Sequence, residues 1–257
     1  MAIYLTGDIH GNPERFGDQY MAEHYHLPPL TKDDIVIICG DFGLPWSEYM
    51  EPSEEFWLDW LEERQATFLF VDGNHENFSL LRDFPVKEWN GGRVHELRPN
   101  LLHLMRGEIF TIHGLKFLAF GGAYSIDRRY RVLNISWWKE EIPSEEEWEN
   151  LRQNLRATGS KVDIVLTHTA PMRFLQPKTK EIGIHWSNFQ DDVAKKLSKI
   201  EPEIQYQLWY FGHFHLDWVD REQKCRGIYT AIDVIAGKGN RDCDLCGKSG
   251  ENSMRIK

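Results

Sequence analysis

The sequence predicts an α/β fold of two packed sheets flanked by helices, and three observations predict it. Five short apolar runs, AIYLTGD, DIVIICGD, TFLFVDGNH, DIVLTH and QLWYFGH, each pass into a polar side chain, four of them through a glycine. That is the pattern of a strand entering a loop, and strands this continuously apolar belong in a sheet covered on both faces. Helical patterns separate the early runs, so the first half is βαβ-like. A cluster of closely spaced strands then follows between Arg93 and Ala123.

Taken in order, AIYLTG is the first strand and NPERFGDQYMAEHY (12–25) reads as the helix after it. PSEEFWLDWLEERQ (52–65) is the next helix, ahead of the TFLFV strand, and FSLLRDF (78–84) a short one. LLHLM, EIFTIH and LKFLAFGG read as a meander or hairpin, with His113 and Gly114 at a tight turn. Ser144 followed by Glu147 is a capping-box signature ahead of the helix EEEWENLRQNLRA. Another helix is expected over 189–200, stopped near Pro202. Beyond QLWYFG, the runs WVDRE, CRGIYTAI and DVIA predict further antiparallel strands closing the second sheet. The chain therefore divides into one domain over 1–237 and a polar, glycine-rich flexible tail over 238–257.

The strand ends carry the chemistry. GDIHG at 7–11, GDFG at 40–43, GNHE at 73–76, TH at 167–168 and GHFH at 212–215 offer Asp8, His10, Asp41, Asn74, His168, His213 and His215 as metal donors, with His75 left over beside Asn74. Loops at strand ends converge on a rigid scaffold, which is where α/β sheets collect ligands. Seven donors exceed the four that one zinc ion usually takes. Two ions sharing a carboxylate fit the inventory better. If Asp41 bridges, Asp8, His10 and one late histidine serve the first ion, while Asn74, His168 and the other late histidine serve the second. His24, His26, His95, His103, His113 and His185 read as turn or core residues.

A net charge of −10 over 257 residues argues against a broad grip on nucleic acid or an anionic membrane. It leaves room for a small anionic substrate, because two divalent ions concentrate about four positive charges at one spot. No apolar run reaches the roughly 18 residues of a membrane-spanning helix, and MAIYLTGD lacks the features of a secretory signal. Four cysteines are too few for a disulfide framework, so a reducing, cytoplasmic setting is expected. Cys243 and Cys246 form a CxxC without the second pair a structural zinc wants, and Cys39 reads as a core thiol.

The ordered set Asp-x-His, Gly-Asp, Gly-Asn-His-Glu, His and Gly-His-x-His resembles the calcineurin-like metallophosphoesterase superfamily, over residues 7–215. The resemblance implies a four-layer α/β/β/α sandwich, with two mixed β-sheets between helical layers and two divalent metals, manganese, iron or zinc, at the strand ends. It implies Asp8, His10, Asp41 and His215 on one ion and Asp41, Asn74, His168 and His213 on the other. It further implies a metal-bridging hydroxide that attacks phosphorus in line, and His75 as the general acid toward the leaving oxygen. The implied activity is hydrolysis of phosphomonoesters or phosphodiesters, on a small phosphate ester, a nucleotide, a dinucleoside polyphosphate or a phosphoprotein. A scaffold without catalysis is the alternative class, and the intact donor set counts against it.

The second block departs from the phosphoprotein phosphatases of that superfamily, where Gly-Asp leads on to Asp-Arg-Gly; here it reads GDFGLPW. The departure removes the aspartate expected to orient the catalytic histidine and the arginine expected to hold phosphate. Asp72 and Glu76 stand near His75 in sequence as replacements for the first. GGAYSIDRRYR (121–131) offers Arg128, Arg129 and Arg131 for the second, because a planar guanidinium donates paired hydrogen bonds to phosphate and stays charged. Tyr124, Tyr130, Trp137, Trp138 and Trp186 are either a stacking wall for a base or ordinary packing.

Overall fold

A computed structural model describes residues 1–183, 185, 189 and 191–236. The expected tail, Cys243, Cys246 and Trp186 lie outside those residues. In chain order the described residues form β1 (Ile3–Thr6), α1 (Asp18–Tyr20), β2 (Ile35–Ile38), α2 (Pro52–Glu62), β3 (Thr67–Phe70), α3 (Phe78–Leu81), β4 (Val86–Trp89), β5 (Gly92–Arg98) and β6 (Leu101–Leu104). There follow β7 (Ile109–Ile112), β8 (Leu115–Phe120), α4 (Glu145–Ala157), β9 (Ile164–Thr167), α5 (Met172–Leu175), α6 (Asp192–Ile200), β10 (Leu208–Phe211), β11 (Trp218–Asp220), β12 (Cys225–Gly227) and β13 (Asp233–Ile235).

Two mixed sheets result, one in the order β13-β1-β2-β3-β6-β5-β4 and one in the order β11-β12-β10-β9-β8-β7. Strands β1, β2, β3 and β6 are mutually parallel, as are β8, β9, β10 and β12. Side chains alternate between the faces of a strand, and that alternation sets the layers. Ile3, Leu5, Ile37 and Leu69 of the first sheet meet Phe117, Ile164, Leu166 and Leu208 of the second in a core between the sheets. Their sequence neighbours Tyr4, Val36, Phe68 and Phe70 face outward onto Leu58 and Leu61 of α2 and Phe78 and Leu81 of α3. On the far side Leu118, Val165, Trp209 and Phe211 pack with Trp148 and Leu151 of α4, Phe174 of α5 and Leu197 of α6. The architecture is the expected α/β/β/α sandwich.

Several local expectations change. The 12–25 helix is broken, because Gly17 is extended at φ −70, ψ 141 between a 3-10 turn at Pro13–Phe16 and α1. β4 and β5 were not foreseen as a hairpin; they turn at Asn90 and Gly91, both at positive φ, the backbone an Asn-Gly turn demands. The strand cluster expected between Arg93 and Ala123 is shared out, with β6 in the first sheet and the β7–β8 hairpin in the second. β12 runs parallel to β10, because β11 reverses the chain between them. The DVIA run crosses back as β13 to pair antiparallel with β1 in the first sheet. Trp138 is a core residue, 2% exposed and edge-on to Trp46, and so no stacking wall. Among the described residues no helix is long and apolar enough to cross a membrane.

Candidate metal centre

Adjacent parallel strands point the same way, so the loops after β1, β2 and β3 leave one edge of the first sheet, and those after β9 and β10 leave one edge of the second. Asp8 and His10 follow β1, Asp41 follows β2, Asn74 and His75 follow β3, His168 follows β9, and His213 and His215 follow β10. The sandwich brings all seven expected donors to one place. Ligand atoms of Asp8, His10, Asp41 and His215 lie within 4.8 Å of one another, as do those of Asp41, His168 and His213. Asn74 joins the second group through its Oδ1, 3.1 Å from His168 Nε2. Asp41 stands in both groups: its Oδ1 is 3.2 Å from His168 Nε2 and its Oδ2 3.9 Å from His10 Nε2.

The backbone is shaped around these contacts. His10, Asp41, His213 and His215 all have φ between 47 and 68, a left-handed conformation that costs a residue with a side chain about 1–3 kcal/mol and concentrates at functional sites. Glycines allow the close approach: a Cβ on Gly73 would sit 2.0 Å from Asp41 Oδ1, and one on Gly212 would sit 2.2 Å from Asp8 Oδ1. Donor orientation is fixed from behind. His168 Nδ1 donates to the Cys39 carbonyl at 2.9 Å, which turns Nε2 inward, the kind of support that sets the tautomer of a metal-ligating imidazole. Asp8 accepts the His213 N–H at 3.1 Å and lies 3.1 Å from His215 Nε2. The Arg15 guanidinium ties down the Asp8 carbonyl at 3.1 Å.

The electrostatics suit cations. Burial opposes ionisation of Asp41, but the neighbouring His168, His75 and His10 outweigh it and hold the carboxyl well below its ordinary range. Against the same burial, Asp41 lifts His168 to about 10. That is the pull a bound cation would meet. Burial and the charge on His168 push His213 down to about 3, the neutral form a metal requires. The donor set of imidazoles, carboxylates and one amide oxygen fits manganese, iron or zinc.

His75 belongs to neither donor group. Its N–H donates to Asp41 Oδ1 at 2.8 Å, and its ring stands edge-on to His10, centroids 5.1 Å apart. Burial, with the charge on Arg131, holds its pKa below the ordinary value despite Asp41. Neither Asp72 nor Glu76 touches the ring. Glu76 instead accepts the N–H groups of Phe42, Gly43 and Gly73, pinning two donor loops to each other. Arg131 orients the ring, with Nη2 donating to His75 Nε2 at 2.8 Å while Asp127 holds the guanidinium at 2.8 Å. Of the three expected arginines only Arg131 reaches His75. Arg128 stacks on Tyr124 at 4.1 Å, and Arg129 lies over Tyr130 at the cleft wall.

Asp72 is the end of a separate buried chain. The Arg106 guanidinium grips its Oδ2, His103 Nε2 donates to its Oδ1 at 3.0 Å, and His103 Nδ1 meets His95 Nδ1 at 2.9 Å. Burial, with the facing His103, lowers His95 to about 4. An unfolded histidine takes up its proton near 6.5, so between about 6.5 and 4 the unfolded chain binds a proton that the folded chain refuses. This site's stabilisation is therefore whole above about 6.5 and is lost as pH falls toward 4. We expect urea midpoints of wild type and His95→Gln to converge as pH drops through that window. A constant separation from pH 7 to 4 would contradict the assignment.

Among the described residues, two hollows open on the centre. One of about 660 Å³ is lined by Asn74, His75, Tyr124, Arg129, Phe214 and His215 among others. The other, of about 330 Å³, lies between His10, Gly43, Trp46, Glu54 and His75. His75 borders both. Sequence reasoning missed Ser125, Glu141 and Arg15, whose partners lie elsewhere in the chain, so no local spacing announces them.

Two donor groups that share Asp41, set at the strand ends of a two-sheet sandwich, could hold a pair of metal ions. The model of the calcineurin-like phosphoesterase family matches residues 1–217, and the chain belongs to that family. It is similar to a lariat debranching enzyme of Schizosaccharomyces pombe, 23% identical over 239 residues, 84% of this chain and 48% of that one. A lariat debranching enzyme of Drosophila pseudoobscura pseudoobscura is 23% identical over 245 residues, covering 84% and 42%. The chain thus spans under half the length of these relatives. The crystal structure of a phosphopantetheinyl hydrolase from Mycobacterium tuberculosis aligns at a TM-score of 0.39 and 15% identity, over 89% of this chain and 88% of that one.

Proposed function

We propose that this chain is a binuclear metal-dependent phosphodiesterase acting on a small substrate. The observation that carries the reading is the convergence of seven donors into two groups that share Asp41. Asp8, His10, Asp41 and His215 would hold one divalent ion, and Asp41, Asn74, His168 and His213 the other. Bound there, the ions would supply positive charge to the phosphoryl oxygens and lower the pKa of water at the site.

The remaining work falls to the chain. Arg131 sits where a phosphate oxygen would draw it away from His75, and its fork suits that anion. His75, at the meeting of the two hollows, is the general acid that passes a proton to the leaving oxygen. The preference for a diester rests on those hollows, because an ester with two substituents needs room on both sides of phosphorus and a monoester on one. The debranching named for the relatives is consistent with that need. A net charge of −10 favours a small nucleotide or other diester over a long nucleic acid. Cys39 and Cys225, buried as free thiols, accord with a cytoplasmic setting.

The test is a turnover screen of linear and cyclic diesters, dinucleoside polyphosphates, monoesters and phosphopeptides, each with Mn²⁺, Fe²⁺ or Zn²⁺. Diesters are expected to lead; a clear excess of monoester or phosphopeptide hydrolysis would overturn the diester reading. Arg131→Ala is expected to lower kcat/KM about 10- to 100-fold, mainly through KM, whereas Arg128→Ala, whose guanidinium is spent on Tyr124, stays near wild type. Equal effects of the two would remove Arg131 from the phosphate.

A further inference from the structure

An asparagine amide has two ends of nearly the same shape, and only the oxygen can ligate a cation. We propose that Ser125 and Glu141 are positioning residues that force Asn74 to present its oxygen to the second donor group, an inference that rests on the metal reading above. Asn74 Nδ2 donates to Ser125 Oγ at 3.0 Å. The Ser125 hydroxyl donates to Glu141 Oε2 at 2.7 Å, and the Ser125 N–H donates to Glu141 Oε1 at 3.2 Å.

The direction of this chain is set from its far end. Both oxygens of Glu141 accept from Ser125, Oε2 from the hydroxyl and Oε1 from the N–H, so the serine proton turns toward Glu141 and the hydroxyl lone pair is left for Asn74. Asn74 must then offer its NH₂, and Oδ1 faces His168 Nε2. All three residues are buried, at 4%, 1% and 0% exposure, so water does not compete for these bonds. The same pair closes the neck of residues 126–140, the segment that carries Arg129 at the cleft wall and Arg131 against His75. One network therefore joins a metal donor to the substrate-facing loop, and Gly122 N–H to the Asp72 carbonyl at 2.9 Å braces its base.

Calorimetric titration of the metal-stripped full chain with Mn²⁺ tests the assignment without reference to turnover. Ser125→Ala is expected to weaken one of the two ions about 10- to 100-fold, the usual effect of losing support behind a ligand, and to leave the other unchanged. Ser125→Thr keeps the hydroxyl and is expected to restore wild-type binding. Glu141→Gln can donate toward Ser125 and so permits the reversed amide; it is expected to weaken the same ion as Ser125→Ala, and carries the comparison if that variant does not fold. Ser198→Ala removes a hydroxyl that joins Met172 N and the Ala194 carbonyl in the outer helical layer and should bind both ions normally. Wild-type affinity for both ions in Ser125→Ala and Glu141→Gln, or no rescue by threonine, would overturn the inference alone. A wild-type chain that takes up fewer than two ions would overturn the metal reading and this inference with it.

Discussion

Asp41→Asn is expected to lower kcat by about a thousandfold or more and to weaken both ions together. The two oxygens of Asp41 face different donor groups, one toward His168 and one toward His10, so a single substitution removes negative charge from both positions. An amide in its place keeps one oxygen and adds an NH₂ that would point at a cation. Metal charge on a phosphoryl oxygen contributes several kcal/mol, and each 1.36 kcal/mol is tenfold in rate, which gives the expected size. Asp8→Asn is the contrast, since Asp8 stands in only one group, and it should weaken one ion and spare the other. Two unperturbed binding steps in Asp41→Asn, measured by metal titration, would sink the shared-carboxylate arrangement.

Much of this was legible because the donors sit at fixed offsets from apolar runs. A run such as IVIICGD declares a strand, its end and the side chain beyond it, and parallel neighbours then gather those ends without further information. What sequence could not supply is which remote side chains stand behind the donors. Glu141 reaches Ser125 across 16 residues, and Arg131 reaches His75 across 56, and neither pairing leaves a periodic trace. Sheet membership failed for a related reason. DVIA has the composition of a strand, but composition does not name its partner, which is β1 of the first sheet. Asp72 misled by proximity: three residues before His75, it points away, because Arg106 and His103 satisfy it on the other side of the loop.

His75→Ala is expected to keep both ions and lose turnover, with a loss that depends on the leaving group. The ring lies outside both donor groups, and the residue holds Asp41 through its backbone N–H, which alanine preserves. General acid catalysis contributes about 10²- to 10⁴-fold where the departing oxygen needs a proton. An alkyl diester should therefore slow by that range, while a nitrophenyl diester, whose leaving group departs as a stable anion, should slow within about tenfold. Arg131 complicates the picture instructively. It donates to His75 Nε2, so that nitrogen cannot carry the transferable proton until the guanidinium moves onto phosphate. His75→Ala and Arg131→Ala should then be non-additive for the alkyl diester, since the second loss acts partly through the first. Equal slowing of both esters would remove His75 from proton transfer, and metal loss matching that of Asp41→Asn would make it a ligand instead.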